Sequence, residues 1–127
     1  MLVLGIESSC DDTSAAVLEN GSSVLSNVIA DQNITHSKYG GVVPELAGRC
    51  HIESIHHVIN SAINQSKIGL KQIDLIAVTV GPGLVSSLLV GLNTAKALAY
   101  ALQKPLVGVN HLEGHLLAIF LQETVEF

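Results

Sequence analysis

The hydrophobic spacing of this chain changes at Pro44, and that change limits what it can fold into. Before it, apolar residues fall in short runs suited to strands. "LVLGIE" (2–7) is a continuous apolar run, as in a strand buried on both faces. "TSAAVLE" (13–19) follows, then the tight-hairpin dipeptide Asn20-Gly21, and "SSVLSNVIA" (22–30) returns as a third strand. Antiparallel neighbours are the economical arrangement for strands so connected. After Pro44 the period lengthens. Leu46, Ile52, Ile55, Val58, Ile59, Ala62 and Ile63 recur at three- and four-residue steps, which predicts one long amphipathic helix. Pro44 suits its first turn, and Gly69 lies just past its far end.

The remainder alternates. "DLIAVTV" (74–80) reads as a buried strand ending in Gly81-Pro82-Gly83, and "LVSSLLVGLNTAKALAYALQ" (84–103) as a second helix. The short strand "LVGV" (106–109) then leads to a helix opening near His111. The order β-β-β-α-β-α-β-α predicts an α/β domain with a mixed five-stranded sheet. It is the order of a ribonuclease-H-like lobe, the half-unit of the actin-like ATPase superfamily. At 127 residues the chain suits one domain. Ser86, Ser87, Gly91, Ala95, Ala97, Ala99 and Ala101 line the second helix, so its backbone can approach a neighbour closely. That neighbour is either the sheet of this lobe or another subunit.

Composition narrows the function classes. Hydrophobic residues make up 48% and charged residues 13%, an aliphatic balance that leaves apolar surface for a partner or a further domain. A net charge of −5 provides no broad basic face with which the chain alone would grip nucleic acid. Cys10 and Cys50 form neither a disulfide framework nor a CxxC pair. The opening "MLVLGI" has no basic n-region and is too short for a signal peptide or a membrane span, so a soluble, cytoplasmic protein is expected.

Four stretches can carry chemistry. In "GIESSCDDTS", Glu7, Asp11 and Asp12 crowd together and repel one another unless a cation or a ligand relieves them. The same turn, with Ser8 and Ser9, can cradle a phosphate or simply close a hairpin. "HSKYGGVVPELAGRCH" brings Lys38 and Arg49, two of six basic residues, near the Gly40-Gly41 pair, which points to an anionic ligand or to an ordinary loop. His51, His56 and His57 sit on the long helix and read as surface or sheet-packing residues. "GPGLVSS" is a strand-to-helix connection at which an anion can bind, but it lacks the lysine and spacing of a Walker A loop.

"VNHLEGHLLA" is the most specific of the four. On a helix His111 and His115 share one face, about 5–6 Å apart at Cβ, and can hold one cation between them. Glu113 falls about 200° around that helix from His111, away from the metal face, so the general base of an HExxH zinc protease is missing. Two imidazoles leave a divalent ion short of ligands. Asp11 is one candidate for the third ligand, and a group outside the chain is another.

"GIESSCDDTS", "HSKYGGVVPELAGRCHIE", "VTVGPGLVSSLLVGLNTAKALA" and "GVNHLEGHLLA" together resemble the tRNA N6-adenosine threonylcarbamoyltransferase family in its bacterial form, once described as the glycoprotease or O-sialoglycoprotein endopeptidase family. The resemblance implies a two-lobed actin-like ATPase fold. It implies transfer of a threonylcarbamoyl group from threonylcarbamoyl-adenylate to N6 of the adenosine next to the anticodon. It further implies one divalent metal ion, iron or zinc, on His111 and His115, with an aspartate of the second lobe as the remaining ligand. An adenylate or ATP-type nucleotide would lie against the turn holding Ser9, Cys10 and Asp11, and against Lys38. The implied partners are tRNA, an inactive paralogue that docks through helices and a small ATPase, with no membrane. No general base is identified.

Members of the family continue into a Gly-rich loop and a second lobe. Residues 1–127 are therefore expected to be the N-terminal lobe, with the second lobe outside this chain, and to be inactive alone. Two rivals follow from the residues themselves. One is a non-catalytic interaction module that pairs through the small-residue helix. The other, a metalloprotease, is disfavoured by the register of Glu113.

Overall fold

The computed structural model describes residues 1–9, 12–31, 40–41 and 44–112. Strands β1 (Leu2–Glu7), β2 (Asp12–Glu19) and β3 (Ser23–Asp31) open the chain and pair as antiparallel neighbours. Asn20 and Gly21 both take positive φ, 54° and 79°, as the central residues of the tight turn that the Ser22 N–H closes onto the Glu19 carbonyl. Helix α1 (Pro44–Ser66) follows, then a short 3-10 turn (Leu70–Gln72), β4 (Leu75–Gly81), α2 (Val85–Leu102) and β5 (Leu106–Asn110). The sheet order is β3-β2-β1-β4-β5, with β4 parallel to both β1 and β5. This is the mixed five-stranded sheet expected from the element order.

The core lies between the sheet and the two helices. Leu4 pairs with Val17 on one side and Ile76 on the other, and Ile6 with Ala15 and Val78, so all six side chains share the buried sheet face. Helix α1 packs over β2 and β3 with Ala47, His51, Ile55, Val58, Ile59 and Ala62 buried. Burying each of the larger aliphatic side chains contributes about 1.5–3 kcal/mol. Ile52, expected in this stripe, is instead 66% exposed. At ~100° per residue the inward position belongs to His51, whose Nδ1 lies 2.6 Å from the Thr13 hydroxyl on β2. His56 and His57 face solvent.

Helix α1 ends at Ser66, before Gly69 as expected. Gly69 is extended, and Lys67 takes the left-handed conformation at φ 61°. The helix closes at Ser66, whose hydroxyl bonds the Ile63 carbonyl at 2.6 Å and so draws the last turn shut before the chain reaches Gly69.

Helix α2 lays a line of small residues inward. Ser87, Gly91, Ala95 and Ala99 are buried and pack within this lobe, whereas Ser86, Ala97 and Ala101 of the same stripe are exposed. By length and composition α2 is apolar enough to cross a membrane, and here it covers the sheet beside α1. Val85, Leu89 and Tyr100 remain exposed on its outer side.

Candidate functional site

Parallel pairing brings three strand ends to one place. Ile6 pairs with Val78, so Glu7 and Thr79 follow side by side at the carboxyl ends of β1 and β4. Thr79 pairs with Val109, and Asn110 closes β5 beside Gly81. His111 comes next. Asn110 Oδ1 accepts the Leu112 N–H at 2.9 Å, which starts the helical turn that carries His111 and Leu112. In open α/β sheets ligands lie beyond such carboxyl ends.

At this edge His111 Nδ1 lies 3.2 Å from Glu7 Oε2 and 3.1 Å from Ser9 Oγ. Glu7 is itself held at both oxygens. Oε1 accepts the Ser9 backbone N–H at 2.7 Å, and Oε2 accepts the Thr79 hydroxyl. Burial pushes the Glu7 carboxyl up, but hydrogen bonds from the Ser9 hydroxyl, the Thr79 hydroxyl, the Ser9 N–H and His111 outweigh it and hold the group below the ordinary glutamate value. The side chains of His111 and Glu7 are 28% and 29% exposed, so the pair sits at the rim of the fold, within reach of a ligand.

The turn after β1 is clamped against α2. Ser8 Oγ donates to the Ser87 carbonyl at 2.7 Å and accepts the Gly91 N–H at 3.0 Å. Leu84 donates its N–H to the Ser9 carbonyl at 2.8 Å. Gly83 lies so close that a Cβ there would stand 2.5 Å from the Ser9 carbonyl oxygen. The "GPG" loop thus serves to bring the backbone of the β4–α2 connection onto the Ser8–Ser9 turn.

Of the residues singled out in the sequence, Ser9 and His111 come together, with Ser9 buried and its hydroxyl turned to the imidazole. Cys10, Asp11, Lys38 and His115, together with Glu113, lie outside the described residues. Glu7 stood out in the sequence through its acidic neighbours, and the structure gives it a different role as the partner of His111. Thr79 carried no signal beyond its place at the end of a buried parallel strand. Among the described residues no three His, Cys, Asp or Glu side chains converge as a metal site would require.

A mixed sheet of this order, with helices on one face and a carboxylate-tied histidine where its parallel strands end, is the α/β fold that the element order predicts. The fold is similar to that of YeaZ from Pseudomonas aeruginosa, with a TM-score of 0.63 and 20% identity over 86% of this chain and 42% of that one. The chain belongs to the tRNA N6-adenosine threonylcarbamoyltransferase family, whose model matches residues 23–127. It is 58% identical over its full length to the tRNA N6-adenosine threonylcarbamoyltransferase of Protochlamydia amoebophila (strain UWE25), and covers 37% of that protein. It is 62% identical over 125 residues to that of Syntrophus aciditrophicus (strain SB), 98% of this chain and again 37% of the relative. The chain therefore spans little more than a third of the length of these relatives.

Proposed function

We propose that residues 1–127 are the N-terminal lobe of an acyltransferase that moves a threonylcarbamoyl group from threonylcarbamoyl-adenylate to N6 of the tRNA adenosine next to the anticodon. Membership of the family supports a tRNA-modifying role. The observation that carries the finer reading is the position of His111, tied through Nδ1 to Glu7 at the carboxyl ends of β1, β4 and β5.

The chemistry asks little of the protein beyond placement. The donor is a mixed anhydride, already activated because AMP is a good leaving group. The N6 amine attacks the carbonyl carbon, the C–O bond to phosphate breaks, AMP departs and the amine loses a proton. In this reading His111 and His115, with an aspartate from the second lobe, hold one divalent ion, iron or zinc. When bound, the ion polarises the carbonyl and neutralises phosphate charge, a contribution of several kcal/mol. The Ser9, Cys10 and Asp11 turn and Lys38 border the adenylate. The clamp of Ser8 onto Ser87 and Gly91 fixes that turn relative to the strand ends.

The partners proposed are tRNA, the second lobe, an inactive paralogue and a small ATPase, in the cytoplasm and away from membranes. Val85, Leu89 and Tyr100 share one exposed face of α2 with Asn93 and Lys96, a mixed surface proposed here for helix docking. That face also favours the second reading, a non-catalytic pairing module. The two readings part on one variant. In a complete two-lobed protein carrying this sequence, His111→Ala abolishes threonylcarbamoyl transfer to tRNA while leaving subunit pairing intact. Full transfer by the variant would remove the proposed role of His111 and leave the pairing module standing.

A further inference from the structure

We infer that Asn20 is a site of spontaneous covalent modification, closing onto Gly21 as a cyclic imide and reopening as aspartate or isoaspartate. It is the only asparagine in the chain followed by glycine. After every other asparagine, a Cβ on the next residue crowds the nitrogen that must attack. The turn also leaves the reaction room. Asn20 and Gly21 are exposed, and a Cβ at Gly21 would meet nothing within 4 Å. The Ser22 N–H reaches the Glu19 carbonyl at 3.4 Å, the long end of a hydrogen bond, so the peptide between Asn20 and Gly21 is loosely held.

The side chain is activated as well. Asn20 Oδ1 accepts a hydrogen bond from the Met1 amino group at 2.9 Å. Oδ1 is the atom on which negative charge gathers when the Gly21 nitrogen attacks Cγ, and an ammonium already placed on it favours that charge. In the first step the Gly21 nitrogen gives its proton to solvent base and bonds to Cγ, while Nδ2 takes up a proton and leaves as ammonia. Water then opens the imide. Cleavage between Cγ and the Gly21 nitrogen gives aspartate. Cleavage at the backbone carbonyl leaves Gly21 joined through Cγ, which is isoaspartate.

The two products differ in what they do to the hairpin. Aspartate tolerates the left-handed conformation and keeps an oxygen for Met1, so the turn survives. Isoaspartate adds a carbon to the main chain inside a turn whose register sets Glu19 against Ser23 and Leu18 against Val24, and it loosens β2 from β3 there.

The test follows a complete protein carrying this sequence through prolonged incubation at mildly alkaline pH. Peptide mapping by mass spectrometry separates the aspartyl and isoaspartyl products. Asn20 is expected to convert ahead of Asn27, Asn60, Asn64 and Asn93, and no more slowly in the folded protein than in the same chain held in denaturant. Acetylation of the Met1 amine removes the charge beside Oδ1 and slows conversion by about 2–10-fold, the rate equivalent of one hydrogen bond. Asn20→Gln, whose longer side chain closes the ring poorly, yields no product at this position.

If Asn20 survives in the folded protein while it converts in the denatured one, the turn protects it and the inference is overturned. Conversion confined to the other asparagines overturns it equally. An unchanged rate after acetylation removes the role given to the Met1 amine. Each of these outcomes is read on the wild-type sequence, so none depends on whether a variant folds.

Discussion

Gly91 donates its backbone N–H to the hydroxyl of Ser8, 3.0 Å away and 83 residues earlier in the chain, and the same hydroxyl donates to the Ser87 carbonyl. Ser87 and Gly91 are the two groups that a regular helix would join directly. A strand-end serine reaches both of them. A Cβ at Gly91 would fall well inside contact distance of that hydroxyl. Gly91→Ala is expected to destabilise the protein by about 1–3 kcal/mol from overpacking, less the better helix propensity of alanine. In a Ser8→Ala background the same change costs much less, because the obstructing atom is gone. Denaturant melts of the two singles and the double give the coupling directly.

Gly83 offers a harder version of the same test. A Cβ there meets the Ser9 backbone at 2.5 Å to the carbonyl oxygen and 3.1 Å to the carbonyl carbon, atoms that cannot rotate away. Gly83→Ala is expected to cost about 3 kcal/mol, at the upper end of overpacking. It also pushes the Ser9 turn off the β4–α2 loop, so the Leu84–Ser9 hydrogen bond is lost along with stability. Thermal melts check the first effect, and faster amide exchange at Leu84 checks the second.

The buried pair of Thr13 and His51 predicts a purely structural loss. His51 is fully buried, and Thr13 is 1% exposed. Thr13→Val keeps the shape of the side chain but removes the hydroxyl from Nδ1 of the ring. Leaving a buried nitrogen without that partner is expected to cost about 1–3 kcal/mol, measured as a lower denaturation midpoint with an unchanged slope. Metal affinity of the two-lobed protein should not move, since the pair lies on the helix-covered face of the sheet.

Much of this architecture was legible because it rests on local periodicity. The Asn20-Gly21 turn follows from two residues that tolerate positive φ, and the apolar runs on either side set its strands. The inward line of α1 was one residue out at Ile52, since a hydrophobicity pattern gives no weight to a histidine satisfied by a threonine on another element. The left-handed residue that follows α1 is Lys67 and not Gly69, because the Ser66 hydroxyl closes the last turn first. At the site, His111 and Ser9 were visible as motif residues, whereas the partnership of Glu7 with His111 spans 104 residues and exists only through the parallel register of β1, β4 and β5. Thr79 is recognisable only once that register is known. Local sequence reports what each element is, and strand pairing decides which ends meet.

The last prediction concerns the metal itself. Among the described residues His111 stands without two further His, Cys, Asp or Glu side chains converging beside it. His115 would supply a second donor, and a catalytic site ordinarily takes three protein ligands with one position left open. Each missing donor leaves a divalent ion to satisfy its shell with water, which loosens binding. Residues 1–127 alone are therefore expected to bind Zn²⁺ weakly, and the affinity should rise sharply once the second lobe is joined to them. Calorimetric titration of both forms measures this. Tight one-to-one binding by residues 1–127 would place the third ligand within this chain, with Asp11 the first residue to test, and would show that the second lobe is not needed to complete the site.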